Sequence, residues 1–226
     1  MEPKIIKRLV SNSGEILIPV EYVVIHSSSG PLSRVLDVFN DKNCEKSCHF
    51  IIDEDGSIYQ TLEIKSNCAV KGWHSGRSLM MNDNGKIISE FNEYSLGIEL
   101  LNKNCNVYPY SNNLLESLIR LVFFLKMKFP SLNDPNRVIG HEQISGFRGK
   151  VDPGHMFDWK WFYNTCYDTD VYKSRKPNMS DEFRDLLQKI QTTSKENGVD
   201  QKNIDIILKE MSLFYQKNLG VSPLPF

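Results

Sequence analysis

The sequence predicts a mixed α/β domain over about residues 15–167, followed by a small helical extension. Three observations lead there. Short apolar runs rich in β-branched residues, such as Tyr22–Ile25, recur between polar loops and read as buried strands. Residues 112–129 instead repeat their apolar positions at helical spacing. After Tyr167 the composition shifts: a polar, basic stretch over 172–177 leads into two amphipathic patterns, 180–191 and 201–217.

The elements follow in order. Tyr22–Ile25 is a strand ending at His26, and Ser27-Ser28-Ser29-Gly30-Pro31 is a loop signal. Residues 33–40 suit a short helix. His49–Ile52 and Ser57–Gln60 flank Asp53-Glu54-Asp55-Gly56, whose Asp-Gly step marks a β-hairpin. Residues 75–93, with Gly76, Asn82, Asp83, Asn84 and Gly85, read as a long polar loop. Ser95–Leu101 is a strand that carries Glu99. The helix over 112–129 aligns Leu114, Leu115, Leu118, Leu121, Val122, Leu125 and Phe129, with Ser111 or Asn112 as N-cap and Pro130 as the stop. Phe123, Phe124 and Met127 widen its apolar face and predict deep burial. Val138–His141 is a further strand ending in a histidine. In the extension, Phe183, Leu186, Leu187 and Ile190, then Ile204, Ile207, Leu208, Met211 and Phe214/Tyr215, form the apolar stripes.

Composition narrows the function classes. Of 226 residues, 40% are hydrophobic and 24% charged, which excludes a disordered chain. Lys plus Arg is 27 against 28 Asp plus Glu, so there is no basic field for nucleic acid. No apolar run approaches the ~20 residues that span a bilayer. No apolar core follows Met1-Glu2-Pro3-Lys4, so a cytoplasmic protein is expected, with a periplasmic or envelope location left open. Five cysteines (Cys44, Cys48, Cys68, Cys105 and Cys166) at irregular spacing fit reduced thiols. Cys44 and Cys48-His49 lack the second pair that a zinc knuckle needs.

The chemistry-bearing residues are few. His26 and His141 each close a short strand, and Asp152 precedes the turn Pro153-Gly154. Two imidazoles and a carboxylate with a fourth position open are a ligand set for catalytic zinc; singly, each residue also suits an ordinary strand end or turn. Glu99 lies among apolar residues, where a carboxylate is costly unless it is paired or functional, or else alternates outward. Lys150, two residues before Asp152, shares its side if the segment is extended, and would stabilise an oxyanion or be solvated there. Trp73-His74-Ser75-Gly76 suits a sugar or peptide cleft, or a core tryptophan beside an incidental histidine. His49 and His155 carry weaker signals.

Six ordered segments over about residues 20–162 resemble the type-2 N-acetylmuramoyl-L-alanine amidases, the AmpD and AmiD group related to peptidoglycan recognition proteins and T7-type lysozyme. They are Val23–His26, Cys48–Gln60, Trp73–Gly76, Asn92–Leu100, Ile139–Glu142 and Lys150–Gly154 through Trp159. The resemblance implies a central, mostly mixed β-sheet flanked by helices. It implies Zn²⁺ held by His26, His141 and Asp152, with Glu99 and Lys150 catalytic and Trp73, His74, His49 and Asn92 at the substrate. The implied reaction is hydrolysis of the amide between N-acetylmuramic acid, or its 1,6-anhydro form, and L-alanine, on muropeptides or peptidoglycan. The alternative is a recognition module that holds muropeptide uncleaved; all three ligand positions being present disfavours it. Two departures stand out. Gly149 occupies the position before Lys150 where the family often has Arg, with Arg148 one residue earlier, and the loop after His26 is Ser-Ser-Ser-Gly. The expected division is a catalytic domain over 1–167 and a helical extension over 168–226. The extension resembles a peptidoglycan-binding module faintly and equally suits a cap packed on the catalytic domain.

Overall fold

The computed structural model describes residues 2–81, 86–102, 108–154, 156–169 and 181–218. The chain runs β1 (Ile5–Lys7), β2 (Leu17–Pro19), β3 (Tyr22–Ser28), α1 (Leu32–Asn40), β4 (Phe50–Ile52), β5 (Ile58–Gln60), β6 (Cys68–Val70), β7 (Leu79–Met81), β8 (Ile87–Ser89), β9 (Ser95–Leu101), α2 (Asn112–Lys128), β10 (Val138–Gly140), α3 (His141–Ser145), α4 (Trp159–Tyr167), α5 (Asp181–Glu196) and α6 (Gln201–Asn218). Six strands form one mixed sheet in the order β1-β5-β4-β9-β3-β10. Its neighbours are parallel except at the β4–β5 hairpin. β2 pairs with β6, and β7 with β8, as separate antiparallel ribbons.

Register and alternation decide which side chains meet. Val23 and Ile25 of β3 lie level with Leu96 and Ile98 of β9, and Phe50 and Ile52 of β4 with Ile98 and Leu100. These side chains are all apolar and pack against Leu114, Leu118, Leu121, Val122 and Leu125 of α2 and Phe162 of α4, with Ser27 at the end of β3 and Gln60 at the end of β5 on the same face. The Ser111 hydroxyl accepts from the Leu114 N–H at 3.1 Å to cap α2, and Lys126 and Lys128 sit at its negative C-terminal end. The expected widening of the α2 stripe holds only at Phe124, which is half-buried against the core; Phe123 is 44% and Met127 72% exposed. The α2 groove is filled by the inner row, and the Lys126 ammonium lies over the Phe123 and Tyr167 rings.

The other face carries Tyr22, Val24, His26 and Ser28 beside Ser95, Gly97, Glu99 and Leu101. Two small apolar clusters flank it. One joins Tyr22, Val24, Met80, Phe91, Ile139 and Ile144; the other joins Val35, Phe39, Cys48, Ile51 and Leu101. Between them runs a polar furrow. Residues 79–89 are not the long loop expected: β7 and β8 pair because Met80 and Ile88 reach the first cluster, while residues 82–85 lie outside the described residues. The 172–177 stretch, Cys105 and His155 also lie outside them.

In the extension, Leu187, Ile204 and Leu208 are buried with Val151, and Phe183, Ile190 and Met211 pack around them. Leu186, Ile207 and Phe214, expected on the inner stripes, are exposed. Among the described residues, no helix is long and apolar enough to cross a membrane.

Candidate metal centre

His26 lies in β3, which continues past it to Ser28, and its side chain points into the furrow. β10 runs parallel to β3 with Gly140 level with Ile25, so His141 emerges next to His26. His141 does not end the strand, as expected, but opens α3, because the Gly140 N–H is bonded by the Gln143 side chain at 2.8 Å. Asp152 is brought to the pair by its backbone: the Glu142 N–H donates to the Asp152 carbonyl at 3.0 Å. Next to it, the Tyr110 hydroxyl donates to the Pro153 carbonyl at 2.8 Å. His26 and His141 are buried, their rings 4.5 Å apart. Donor atoms of His26, His141 and Asp152 all lie within 4.8 Å of one another.

The hydrogen-bond network assigns the ring protons. Nε2 of His74 faces the Ser95 carbonyl at 3.2 Å, an acceptor, so it carries the proton. Nδ1 of His74 then accepts from the Ser75 hydroxyl at 3.0 Å and from His26 Nε2 at 3.1 Å. His26 is therefore protonated at Nε2, and its bare Nδ1 faces Asp152 Oδ2 at 3.1 Å. His141 donates from Nε2 to the Ser75 carbonyl at 3.2 Å, which leaves its Nδ1 bare against Asp152 Oδ2 at 2.9 Å. Two lone pairs thus converge on a carboxylate, an arrangement that repels unless a proton or cation sits among them. Burial, then the neighbouring His141, pushes His26 down to about 4, so a second proton on that ring is disfavoured at neutral pH. Burial alone would raise the Asp152 carboxyl; positive charge on the facing His141 and His26 side holds it well below the usual range, whether a ring proton or a cation supplies it. Neutral imidazoles with an ionised carboxylate are the protonation states in which such side chains bind a divalent ion. The donor set fits a cation.

Glu99 sits level with His26 on the adjacent strand, and the Ser28 hydroxyl donates to its Oε2 at 3.0 Å. Burial, then the Asp152 carboxylate, raises the Glu99 carboxyl to about 8, against the pull of Ser28 and Lys150. The outward-alternating alternative for Glu99 fails, because its side of the sheet is the furrow. Lys150 lies close enough to act electrostatically on both His26 and Glu99. Ser28 carried no motif, yet lying two residues beyond His26 in a strand put it on the same face.

The remaining expected substrate contacts are placed differently. His49 is 0% exposed, with Nδ1 accepting from the Gly97 N–H at 3.0 Å and Nε2 donating to the Val70 carbonyl at 2.9 Å. Asn92 is buried and accepts from the His74 and Ser75 N–H groups at 3.1 and 2.8 Å. Both ring nitrogens of His74 are engaged, and its ring lies over Gly97, where a Cβ would come within 2.6 Å of it. These three residues build the wall behind His26: both ring nitrogens of His49 and of His74, and the side-chain oxygen of Asn92, are taken by the protein. Trp73 is half-buried beneath the Lys71 ammonium, 4.4 Å from its ring. Arg148 donates to the Ser75 and Arg77 carbonyls at 3.1 and 2.9 Å, and so ties this wall to the 146–152 segment.

The sequence profile of the family described as N-acetylmuramoyl-L-alanine amidase matches residues 17–155. N-acetylmuramoyl-L-alanine amidase A of Achromobacter lyticus is 23% identical over 159 residues, covering 63% of this chain and 80% of its own length. The fold is similar to that of AmiD from E. coli, solved with the substrate anhydro-N-acetylmuramic acid-L-Ala-D-γ-Glu-L-Lys. The TM-score there is 0.56 and the identity 21%, over 70% of this chain and 61% of that one. It is also similar to AmpDh3 from Pseudomonas aeruginosa, solved with anhydromuramic pentapeptide. Its TM-score is 0.54 and its identity 18%, over 91% of this chain and 78% of that one.

Proposed function

The chain belongs to the N-acetylmuramoyl-L-alanine amidase family, and from that premise we propose that it is a zinc enzyme acting on the bond between the muramic lactyl group, in its plain or 1,6-anhydro form, and L-alanine. The observation that carries the zinc reading is the pair of bare Nδ1 atoms turned onto Asp152. His26, His141 and Asp152 would hold the ion; ligands about 2 Å from a tetrahedral ion stand about 3.3 Å apart, close to the 2.9 and 3.1 Å spacings here. When bound, the ion supplies a Lewis acid and lowers the pKa of a coordinated water to about 7.

This chain's residues do the rest. Glu99 takes a proton from the attacking water on its carboxylate and returns it to the leaving L-alanine nitrogen. Ser28 fixes Oε2 of Glu99, leaving Oε1 to move the proton. The Lys150 ammonium neutralises charge developing on the carbonyl oxygen. His74 keeps the His26 proton on Nε2, so Nδ1 stays a lone pair. The anhydro-muropeptide reading draws support from the AmiD and AmpDh3 complexes, whose ligands are of that class.

The test is product mass spectrometry with anhydro-N-acetylmuramyl-L-Ala-D-γ-Glu-L-Lys, alongside metal analysis of the protein. Free tripeptide, about one zinc per chain, and loss of both in Asp152→Ala are expected. Metal-free protein that Zn²⁺ does not activate would overturn the zinc reading.

A further inference from the structure

Val151 lies between Lys150 and Asp152 and is 2% exposed, and the buried residues clustered with it, Leu187, Ile204 and Leu208, all belong to α5 and α6. One step earlier, Gly149 has φ +78°, and a Cβ on it would come within 2.7–2.8 Å of the backbone of Leu208 and Lys209. A contact that close leaves room for glycine alone, so the turn before Lys150 is shaped to α6. A third contact joins the same elements: the Ser212 hydroxyl donates to the Gly146 carbonyl at 3.4 Å. The α5–α6 pair therefore grips the outer side of the 146–152 segment. α3 and Tyr110 hold the inner side, through Glu142 to Asp152 and the Tyr110 hydroxyl to Pro153.

From this we infer that the helical extension is a positioning element of the amidase site: by clamping Gly149 and Val151, α6 fixes the backbone from which Lys150 and Asp152 project. The inference rests on the reading of Asp152 as a ligand and Lys150 as a participant. Leu208 is its central positioning residue. A short segment with Gly146 and Gly149, followed by Gly154, has little stiffness of its own, and catalytic groups tolerate little misplacement: about 1 Å can cost on the order of 100-fold in rate. An extension serving only to hold cell wall would have no reason to bury the residue between two site residues.

The experiment uses the full chain. Leu208→Ala opens a cavity against Val151, Leu208→Val a smaller one, and Leu208→Met conserves volume. Leu125→Ala is the control, a comparable cavity on the opposite face of the sheet. All are studied at a temperature where circular dichroism shows them folded. The readouts are the rate at which zinc-loaded protein loses metal to a chelator, and kcat and KM on the soluble anhydro-muramyl tripeptide. Leu208→Ala should lose metal about tenfold faster and lose about 10–100-fold in kcat with KM nearly unchanged. Leu208→Val should follow in the same direction, and Leu208→Met should recover. Leu125→Ala should lower Tm but change neither readout. If Leu208→Ala does not fold, Leu208→Val decides. Leu208 variants indistinguishable from the parent, or a Leu125→Ala that falls equally, would overturn the inference. Failure of the zinc reading looks different: the parent holds no metal and Asp152→Ala matches it, and the kcat comparison of Leu208 with Leu125 variants then decides the clamp alone.

Discussion

The two faces of the central sheet are built from the same strands and serve opposite ends. On the α2 side, Val23, Ile25, Ile98 and Leu100 meet only apolar partners, and the alternation yields a dry core. One residue along each strand, His26, Gly97 and Glu99 face a furrow in which every polar group must find a partner. Most do so within the furrow, through Ser28, Ser75, Ser95 and His74. The exception is the set of bare nitrogens and carboxylate at Asp152, which calls for a cation. The difference teaches that stability and chemistry are separated here by side-chain parity along the strand, not by domain. Substitutions on one face should move Tm, and on the other turnover.

The largest expected effects test the furrow. His26→Ala or Asp152→Ala should abolish both metal binding and turnover, because the remaining two donors leave the ion too exchangeable; atomic absorption and product assay check this. Glu99→Gln keeps the shape and should keep the metal while losing about 10²–10⁴-fold in kcat. A Glu99→Gln protein with full metal and near-parental kcat would assign the base to another residue. Lys150→Ala should cost about 10²–10³-fold, also with metal retained, as for loss of one oxyanion donor. The comparison sharpens with a substitution on the dry face. Leu118→Ala, fully buried beneath the sheet, should destabilise the protein by about 2–5 kcal/mol in denaturant titration and leave kcat of the folded fraction almost unchanged. A fall in kcat matching that at the furrow would break the separation.

Much of this was legible in the chain. The long strands announce themselves by apolar runs such as Tyr22–Ile25, and α2 by apolar positions repeating at helical spacing over seventeen residues. His26, His141 and Asp152 were legible as a set through the ordered segments that resemble the amidase family; the structure brings them together, although neither histidine ends its strand as expected. β1, β2 and β6 were not predicted; β4 and β5 are just as short, but the Asp-Gly step between them marked the pair as a hairpin. The ribbon over 79–89 was hidden by its polar tip. His49, His74 and Asn92 stood in matching segments, but a motif does not say whether a polar atom faces the ligand or the protein. The tail's contact with Gly149 and Val151 joins residues far apart in sequence, and amphipathic periodicity names no partner.

The smallest predicted effect asks how far the furrow's own hydrogen bonds set its chemistry. Ser28 is not one of the proposed ligands. It donates to Oε2 of Glu99, and a hydrogen bond to an ionised carboxylate favours that form. With Ser28→Ala the Glu99 carboxyl should rise further from its already raised position, because burial and the Asp152 carboxylate then act with less opposition. A base works deprotonated, so the acidic limb of kcat/KM against pH should move toward higher pH. A cation held by His26, His141 and Asp152 would pull Glu99 down in parent and variant alike, so the shift between them would survive. Rate at the alkaline plateau should fall only severalfold, roughly the value of one hydrogen bond to a charged group. Ser28→Thr, which keeps the hydroxyl, should restore the limb. An unmoved limb in Ser28→Ala with a lowered plateau would mean that Ser28 only orients Glu99. An unchanged profile throughout would mean that the acidic limb belongs to a group other than Glu99.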